Sequence, residues 1–429
     1  MDFIIGRAIY KEEKGTRRKI LLFISLFVNI GLLGFFKYFN FFITSFVDAF
    51  SLFGKELEIS TLNIILPVGI SFYTFQTLSY TIDIYRRKLK PVGSFINFAT
   101  FVAFFPQLVA GPIERASNLL PQFSQKHVFQ YETIKSGFLL MGWGLFKKMV
   151  VADRVALIVN EVFNNPNSYG SSSYVIATVL FAFQIYCDFS GYSDIAIGAA
   201  RTMGFDLMKN FRTPYFSKSL TEFWRRWHIS LSTWFRDYVY IPLGGSRRGK
   251  YRVYLNLFIV FFVSGIWHGA AWTFVIWGAI HGVVIVIEKI TVDFRSSVYT
   301  KLGLISTSFG NRLLFSLITF LIVCISWVFF RANSLVDAVH ILNEIFNIEG
   351  YKWNFTTPPI DYFELKSSLF FVGIMLILEI FHNRFNLLLF LRRQGVVFRW
   401  GIYLIAIFVL LIFGVYGAYD DSQFIYFQF

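Results

Sequence analysis

The chain has 429 residues, of which 55% are hydrophobic and 15% charged, with a mean hydropathy of +0.56. That balance excludes an ordinary water-soluble protein. The net charge of +14 does not point to nucleic acid, because Lys and Arg fall in short clusters between apolar runs, as anchors beside anionic lipid do.

A helix needs about 20 residues to cross the hydrocarbon core. The first apolar run follows Lys11, Lys14, Arg17, Arg18 and Lys19, has no small-residue cleavage site, and reads as a retained span over 20–36. Residues 39–53 read as a short interfacial helix. Further spans are predicted at 61–83, 134–158 and 174–201, then 252–290 as a pair or broken unit, and 313–330, 367–382 and 400–418. The apolar stretch 95–113 is interrupted by Pro106, Gly111 and Pro112, which predicts a kinked or re-entrant element buried in protein. Residues 202–251 are too polar to span and too aromatic to lie free in water.

Charge asymmetry orients the spans. The basic start and Arg86, Arg87, Lys88 and Lys90 read inside, as do Arg295, Lys301, Arg312, Arg384, Arg392, Arg393 and Arg399. The acidic loops read outside: Asp48, Glu56 and Glu58; Asp337, Glu344, Glu349, Asp361 and Glu364; and Asp420 and Asp421. No internal repeat supports a secondary transporter, and no low-complexity linker divides the chain. The expectation is one all-α polytopic domain over 1–429, with about 8–11 helices, a motif-bearing core at 20–290 and C-terminal spans at 291–429.

Chemistry is sought where ionisable groups interrupt the apolar background. Keeping such a group at membrane depth costs roughly 2.5–3.5 kcal/mol, so its presence marks a polar pathway or reaction site. Two stretches stand out: Glu-Phe-Trp-Arg-Arg-Trp-His at 222–228 and Gly-Ile-Trp-His-Gly-Ala-Ala-Trp at 265–272. Read as one helix, 221–237 gathers Trp224, Trp227, Leu231, Trp234 and Phe235 on one face, with Glu222, Arg226 and Thr233 opposite. An interfacial amphipathic helix accounts for its Trp and Arg residues; it does not account for His228 at the border of the aromatic face. His268 lies in a strongly apolar run beside Gly265 and Gly269, small residues that admit close backbone approach. A histidine hydrogen-bonded between helices is the plain alternative. Imidazole titrates near neutrality and can take a hydroxyl proton and release it. His281 points to a different helical face and reads as a support or packing residue.

Other polar groups in apolar surroundings are Gln184, Asp188 and Asp194, then Lys147, Lys148, Asp153 and Arg154, and Glu114 with Arg115. Most are expected to be buried ion pairs or hydrogen-bond ties. Cys187 and Cys324 read as inert core thiols. No spacing suits a metal site, a phosphate-binding loop, a dinucleotide fold or a serine nucleophile elbow.

Several stretches resemble the membrane-bound O-acyltransferase (MBOAT) family, and within it the bacterial alginate O-acetyltransferase branch. They are Phe-Lys-Tyr-Phe-Asn-Phe (36–41), Val-Gly-Ile-Ser-Phe-Tyr-Thr-Phe-Gln (68–76), Phe-Phe-Pro-Gln-Leu-Val-Ala-Gly-Pro-Ile-Glu-Arg (104–115) and Gln-Ile-Tyr-Cys-Asp-Phe-Ser-Gly-Tyr-Ser-Asp (184–194). Then follow Phe-Trp-Arg-Arg-Trp-His-Ile-Ser-Leu-Ser (223–232), Ile-Pro-Leu-Gly-Gly (241–245) and Trp-His-Gly-Ala-Ala-Trp (267–272). They run in family order over most of 30–290; the C-terminal third matches mainly in hydropathy.

The resemblance implies helices and re-entrant elements around a central tunnel, with His268 catalytic and His228 a second motif histidine in the same site. Trp267, Trp272, Arg225, Asp188 and Arg115 are the candidates for lining the tunnel or binding substrate. It implies no permanently bound cofactor. The acyl donor is then acetyl-CoA or another cytoplasmic thioester, and the acceptor a hydroxyl of a cell-surface polysaccharide such as alginate. An extracytoplasmic SGNH-type acetyltransferase partner and a multi-pass location in the bacterial plasma membrane, among membrane lipid, complete the expectation. Further hydrophobic spans ahead of the first basic loop are usual in this branch, and the chain begins almost in that loop. D-alanyl transfer toward teichoic acid is the sibling reading, and a non-enzymatic polysaccharide or lipid carrier the reading from another class.

Overall fold

The computed structural model describes residues 1–54, 60–303, 308–347, 362–385, 387–416 and 424. The loop carboxylates Glu56, Glu58, Glu349, Asp361, Asp420 and Asp421 lie outside the described residues. Among those described, every regular element is helical, and seven helices are long and apolar enough to cross a membrane.

Helix α1 (Asp2–Lys11) is tied to the next helix at its first residue, where Asp2 accepts from Ser25 Oγ at 2.6 Å and from Asn29 Nδ2. Helix α2 (Gly15–Ser51) corrects the expectation of a span at 20–36 followed by a separate interfacial helix at 39–53, because it runs unbroken through both. Its one irregularity is a π-helical turn at Gly34–Tyr38, and such turns re-aim the side chains they carry. The predicted 61–83 span is also shorter than expected. Helix α3 (Ile70–Tyr85) begins only after Pro67 and a left-handed Gly69, φ +76°. A Cβ at Gly69 would stand 2.4 Å from the Leu108 carbonyl oxygen, so glycine is required there. The stretch 95–113 is broken as predicted: α4 (Phe95–Val102) gives way to turns before Pro112, and α5 (Ala116–Gln122) follows.

Helix α6 (131–164) is continuous through a π-helical segment at Phe146–Ala152. It packs along α7 (Ser171–Thr202), the axis of the bundle, whose residues are buried on all sides. Two glycine pairs permit that contact: a Cβ on Gly144 would come within 2.6 Å of the Gly191 carbonyl oxygen, and one on Gly198 within 2.6 Å of the Gly137 carbonyl oxygen.

The reading of 221–237 as one interfacial helix is overturned. The chain forms two short helices, α8 (Leu220–Arg226) and α9 (Ile229–Phe235), then a π turn at Arg236–Tyr240. The break is at His228, whose φ of +43° is left-handed and interrupts helical winding. Trp224, Trp227 and Trp234 are buried core residues rather than anchors at the lipid boundary.

The 252–290 unit resolves into an antiparallel pair, α10 (Lys250–His268) and α11 (Trp272–Ile290). Gly265 and Gly278 face each other there, and a Cβ on Gly265 would lie 2.4 Å from the Phe274 carbonyl oxygen. These glycines serve helix contact. The chain continues through α12 (Val292–Lys301), α13 (Phe309–Arg331), α14 (Leu335–Phe346), α15 (Tyr362–Phe385), α16 (Leu387–Arg392) and α17 (Val396–Phe413). Cys187 and Cys324 are buried free thiols, as expected.

Candidate active site

His268 is the last residue of α10, where a helix leaves backbone carbonyls without intrahelical partners. Those carbonyls are taken up by the π turn of α2. Lys37 Nζ donates to the carbonyl oxygens of His268 at 2.8 Å and Trp267 at 3.0 Å, and Tyr38 Oη donates to that of Ile266 at 2.8 Å. A cation at a helix C-terminus also complements the helix dipole. The last turn of the helix that carries His268 is thereby pinned by residues about 230 positions away in sequence.

The His268 ring sits among aromatic walls. Ring centres lie 4.9 Å away at Trp267, 5.0 Å at Trp277 with the planes near perpendicular, and 5.5 Å at Phe330. The fourth neighbour is His228, at 6.5 Å. Helix α11 supplies Trp277 and α13 supplies Phe330, while the α8–α9 break supplies His228.

His228 is fully buried and held by Asn210, from the loop after α7. Asn210 Oδ1 lies 3.2 Å from the Ser230 backbone nitrogen, 2.9 Å from Ser230 Oγ and 3.1 Å from His228 Nδ1. Lying between two short helices, outside the spanning segments, the His228 imidazole is pushed by burial down to about 3 and is neutral at physiological pH. Phe189 packs edge-on against its ring at 4.6 Å. Phe424, near the C-terminus, packs in turn against Phe189 and Tyr192.

His281 is the support residue the sequence suggests. Its Nδ1 accepts from Trp224 Nε1 at 3.2 Å, so its proton is on Nε2, 3.0 Å from Ser326 Oγ; that hydroxyl donates to the Val323 carbonyl. A satisfied imidazole thus ties α8, α11 and α13 together.

The remaining candidates separate. Trp267 lies against His268 and stacks on Phe75 at 5.0 Å. Trp272 is half exposed and donates to Ser45 Oγ, and Arg225 is exposed. Asp188 belongs to an ion-pair cluster on α6 and α7, 2.6 Å from Lys148 Nζ, which also meets Asp153 at 2.7 Å. Lys147 pairs there with Asp194 at 2.7 Å and donates to Ser190. Arg115 lies over Tyr238 and pairs with Asp237 at 3.4 Å, in a group completed by Arg86 and Asp83. Glu114 accepts from Asn118 and the Met208 backbone. Among the described residues no cluster of His, Cys, Asp and Glu suits a metal. Lys37 and Asn210 were not singled out by sequence. Lys37 lies within the 36–41 stretch quoted above, and Asn210 carries no local signal.

The fold and this centre define an integral-membrane protein in which a buried histidine pair converges from two separate motifs. The model of the membrane-bound O-acyltransferase family matches residues 86–325, and the chain belongs to that family of membrane acyltransferases. It is 41% identical over 341 residues to the probable alginate O-acetylase AlgI of Pseudomonas putida, covering 80% of this chain and 67% of that protein. Against the Pseudomonas aeruginosa protein of the same description the identity is 41%, over 80% of this chain and 63% of the relative. The peptidoglycan O-acetyltransferase of Helicobacter pylori is 36% identical over 81% of this chain and 69% of its own length. The chain therefore spans about two thirds of the relatives it matches.

Proposed function

We propose that the protein moves an acetyl group from a cytoplasmic thioester, acetyl-CoA in the simplest case, toward hydroxyls of a cell-envelope polysaccharide of the alginate kind. It works in the bacterial plasma membrane, and an extracytoplasmic SGNH-type acetyltransferase completes delivery. The observation that carries this reading is the meeting of His228 and His268 from two motifs in one aromatic pocket. His268 acts as general base: it takes the proton of the acceptor hydroxyl as that oxygen attacks the acyl carbonyl carbon. The C–S bond then breaks, an ester C–O bond has formed, and the proton leaves with the thiolate as a free thiol. Trp267 and Trp277 flank His268, and their Nε1–H groups are buried with no hydrogen-bond partner among the described residues. They are donors for the tetrahedral oxyanion. The acceptor class follows the alginate and peptidoglycan O-acetylating relatives.

The test is His268→Ala, with ester-linked acetyl measured on isolated polysaccharide at matched protein level. An enzyme loses those esters by about 100-fold or more while polymer still reaches the surface. Unchanged acetyl content would overturn the assignment, and lost surface polymer would indicate a carrier. D-alanine esters in place of acetyl would move the donor to the sibling chemistry.

A further inference from the structure

The three contacts of Asn210 settle a question of proton position. A backbone N–H can only donate, so the Asn210 atom 3.2 Å from the Ser230 nitrogen is the amide oxygen. The opposite end of the amide agrees, since Asn210 Nδ2 donates to Ser193 Oγ at 3.3 Å. An amide oxygen only accepts, so His228 Nδ1, 3.1 Å away, carries the proton, and in the neutral ring the lone pair is on Nε2.

Resting on the reading of His268 as general base, we infer that Asn210 is a positioning residue which fixes His228 as a hydrogen-bond acceptor at Nε2, and that His228 through this atom orients His268. The ring centres, 6.5 Å apart, are too distant for a direct imidazole–imidazole hydrogen bond and suit one bridging oxygen, of a water or a hydroxyl. Such an oxygen gives its hydrogen to His228 Nε2 and accepts from an N–H of His268. The other His268 nitrogen is then deprotonated and faces the acceptor. Every hydrogen in the chain from His268 to Asn210 points the same way, and when His268 takes up the acceptor proton, the same chain stabilises its imidazolium. This is the logic by which a carboxylate orients the histidine of a hydrolytic triad, with a neutral histidine and an amide in place of the buried charge. Asn210 reaches Ile229 through its backbone carbonyl as well, at 2.9 Å, so substitution of its side chain leaves that tie between the loop and α9 in place.

Two variants in native membranes carry the test, read as release of CoA thiol from acetyl-CoA between pH 5 and 9. Asn210→Leu removes the acceptor for Nδ1–H; kcat is expected to fall at least about tenfold with the KM for acetyl-CoA unchanged. Asn210→Asp keeps an acceptor of the same shape but places a carboxylate against the ring. At this buried 3.1 Å contact the carboxylate raises the imidazole, which burial otherwise holds at about 3, by the upper end of about 1–3 units; below about pH 6 His228 is then protonated at Nε2 and can no longer accept, so the rate falls off on the acid side at a higher pH than in the wild type. A purely structural role would lower the amount of active protein without moving the profile. An Asn210→Asp profile superimposable on the wild type overturns the inference, and this isosteric variant decides alone should Asn210→Leu not accumulate. If His268→Ala abolishes thiol release while Asn210→Asp leaves the profile unmoved, the positioning role fails and the general base stands. If His268→Ala retains thiol release, the general-base reading itself fails.

Discussion

Replacing Lys37 by methionine separates what holds the fold from what holds the site. The stem length is conserved and the ammonium is lost, together with its bonds to the carbonyls of His268 at 2.8 Å and Trp267 at 3.0 Å. Hydrogen bonds to a charged group contribute roughly 1.5–3 kcal/mol each, and a cation at a helix C-terminus adds about 0.3–2 kcal/mol. Against these stands the cost of keeping an ammonium at membrane depth, about 2.5–3.5 kcal/mol. The balance runs from about zero to about 5 kcal/mol of lost stability, so activity is compared at matched abundance of folded protein. The chemistry is affected as well. Without Lys37 the last turn of α10 frays, and a displacement of His268 by about 1 Å costs on the order of 100-fold in rate. The assay compares ester-linked acetyl on isolated polysaccharide with thermal melting of the solubilised protein at equal abundance. Wild-type acetyl content in Lys37→Met would refute the claim that this lysine holds the site in register.

Two further outcomes test the supports around that site. Lys148→Met removes the ammonium that Asp153 and Asp188 share, 2.7 and 2.6 Å from it, and is expected to cost about 3–5 kcal/mol of stability; wild-type melting would show that the cluster is solvated rather than buried. His281→Gln retains one acceptor for Trp224 and one donor toward Ser326 and should keep most acyl transfer, whereas His281→Ala leaves the Trp224 indole N–H without its acceptor and costs about 1–3 kcal/mol. Abolished transfer in His281→Gln with unaltered melting would place His281 in the chemistry.

What could be read ahead of the structure follows the range of the interactions involved. The later spans from 174 onward, the broken 95–113 element and the α10–α11 pair depend on hydropathy and on Pro and Gly within a few residues, so they were legible, whereas the bounds of the first spans were not. The helical wheel drawn over 221–237 failed because periodicity cannot register a left-handed residue without a glycine to announce it. His228 keeps φ +43° because Asn210 grips both its ring and Ser230. The error mattered for more than boundaries: a continuous helix would present its tryptophans to lipid, whereas the break turns them inward and brings the imidazole toward His268. Both motif histidines were visible as ionisable residues in an apolar background, but the residues that orient them were not. Lys37 and Asn210 act on partners 231 and 18 positions away, across helix contacts that only the assembled bundle creates. The two histidines are also held differently, one through its backbone carbonyl and the other through its ring. Mutating Lys37 therefore frees the backbone at His268, whereas mutating Asn210 removes the partner of the His228 ring. Loss of transfer in both variants, through contacts that share no residue, is the sign that each histidine is held separately.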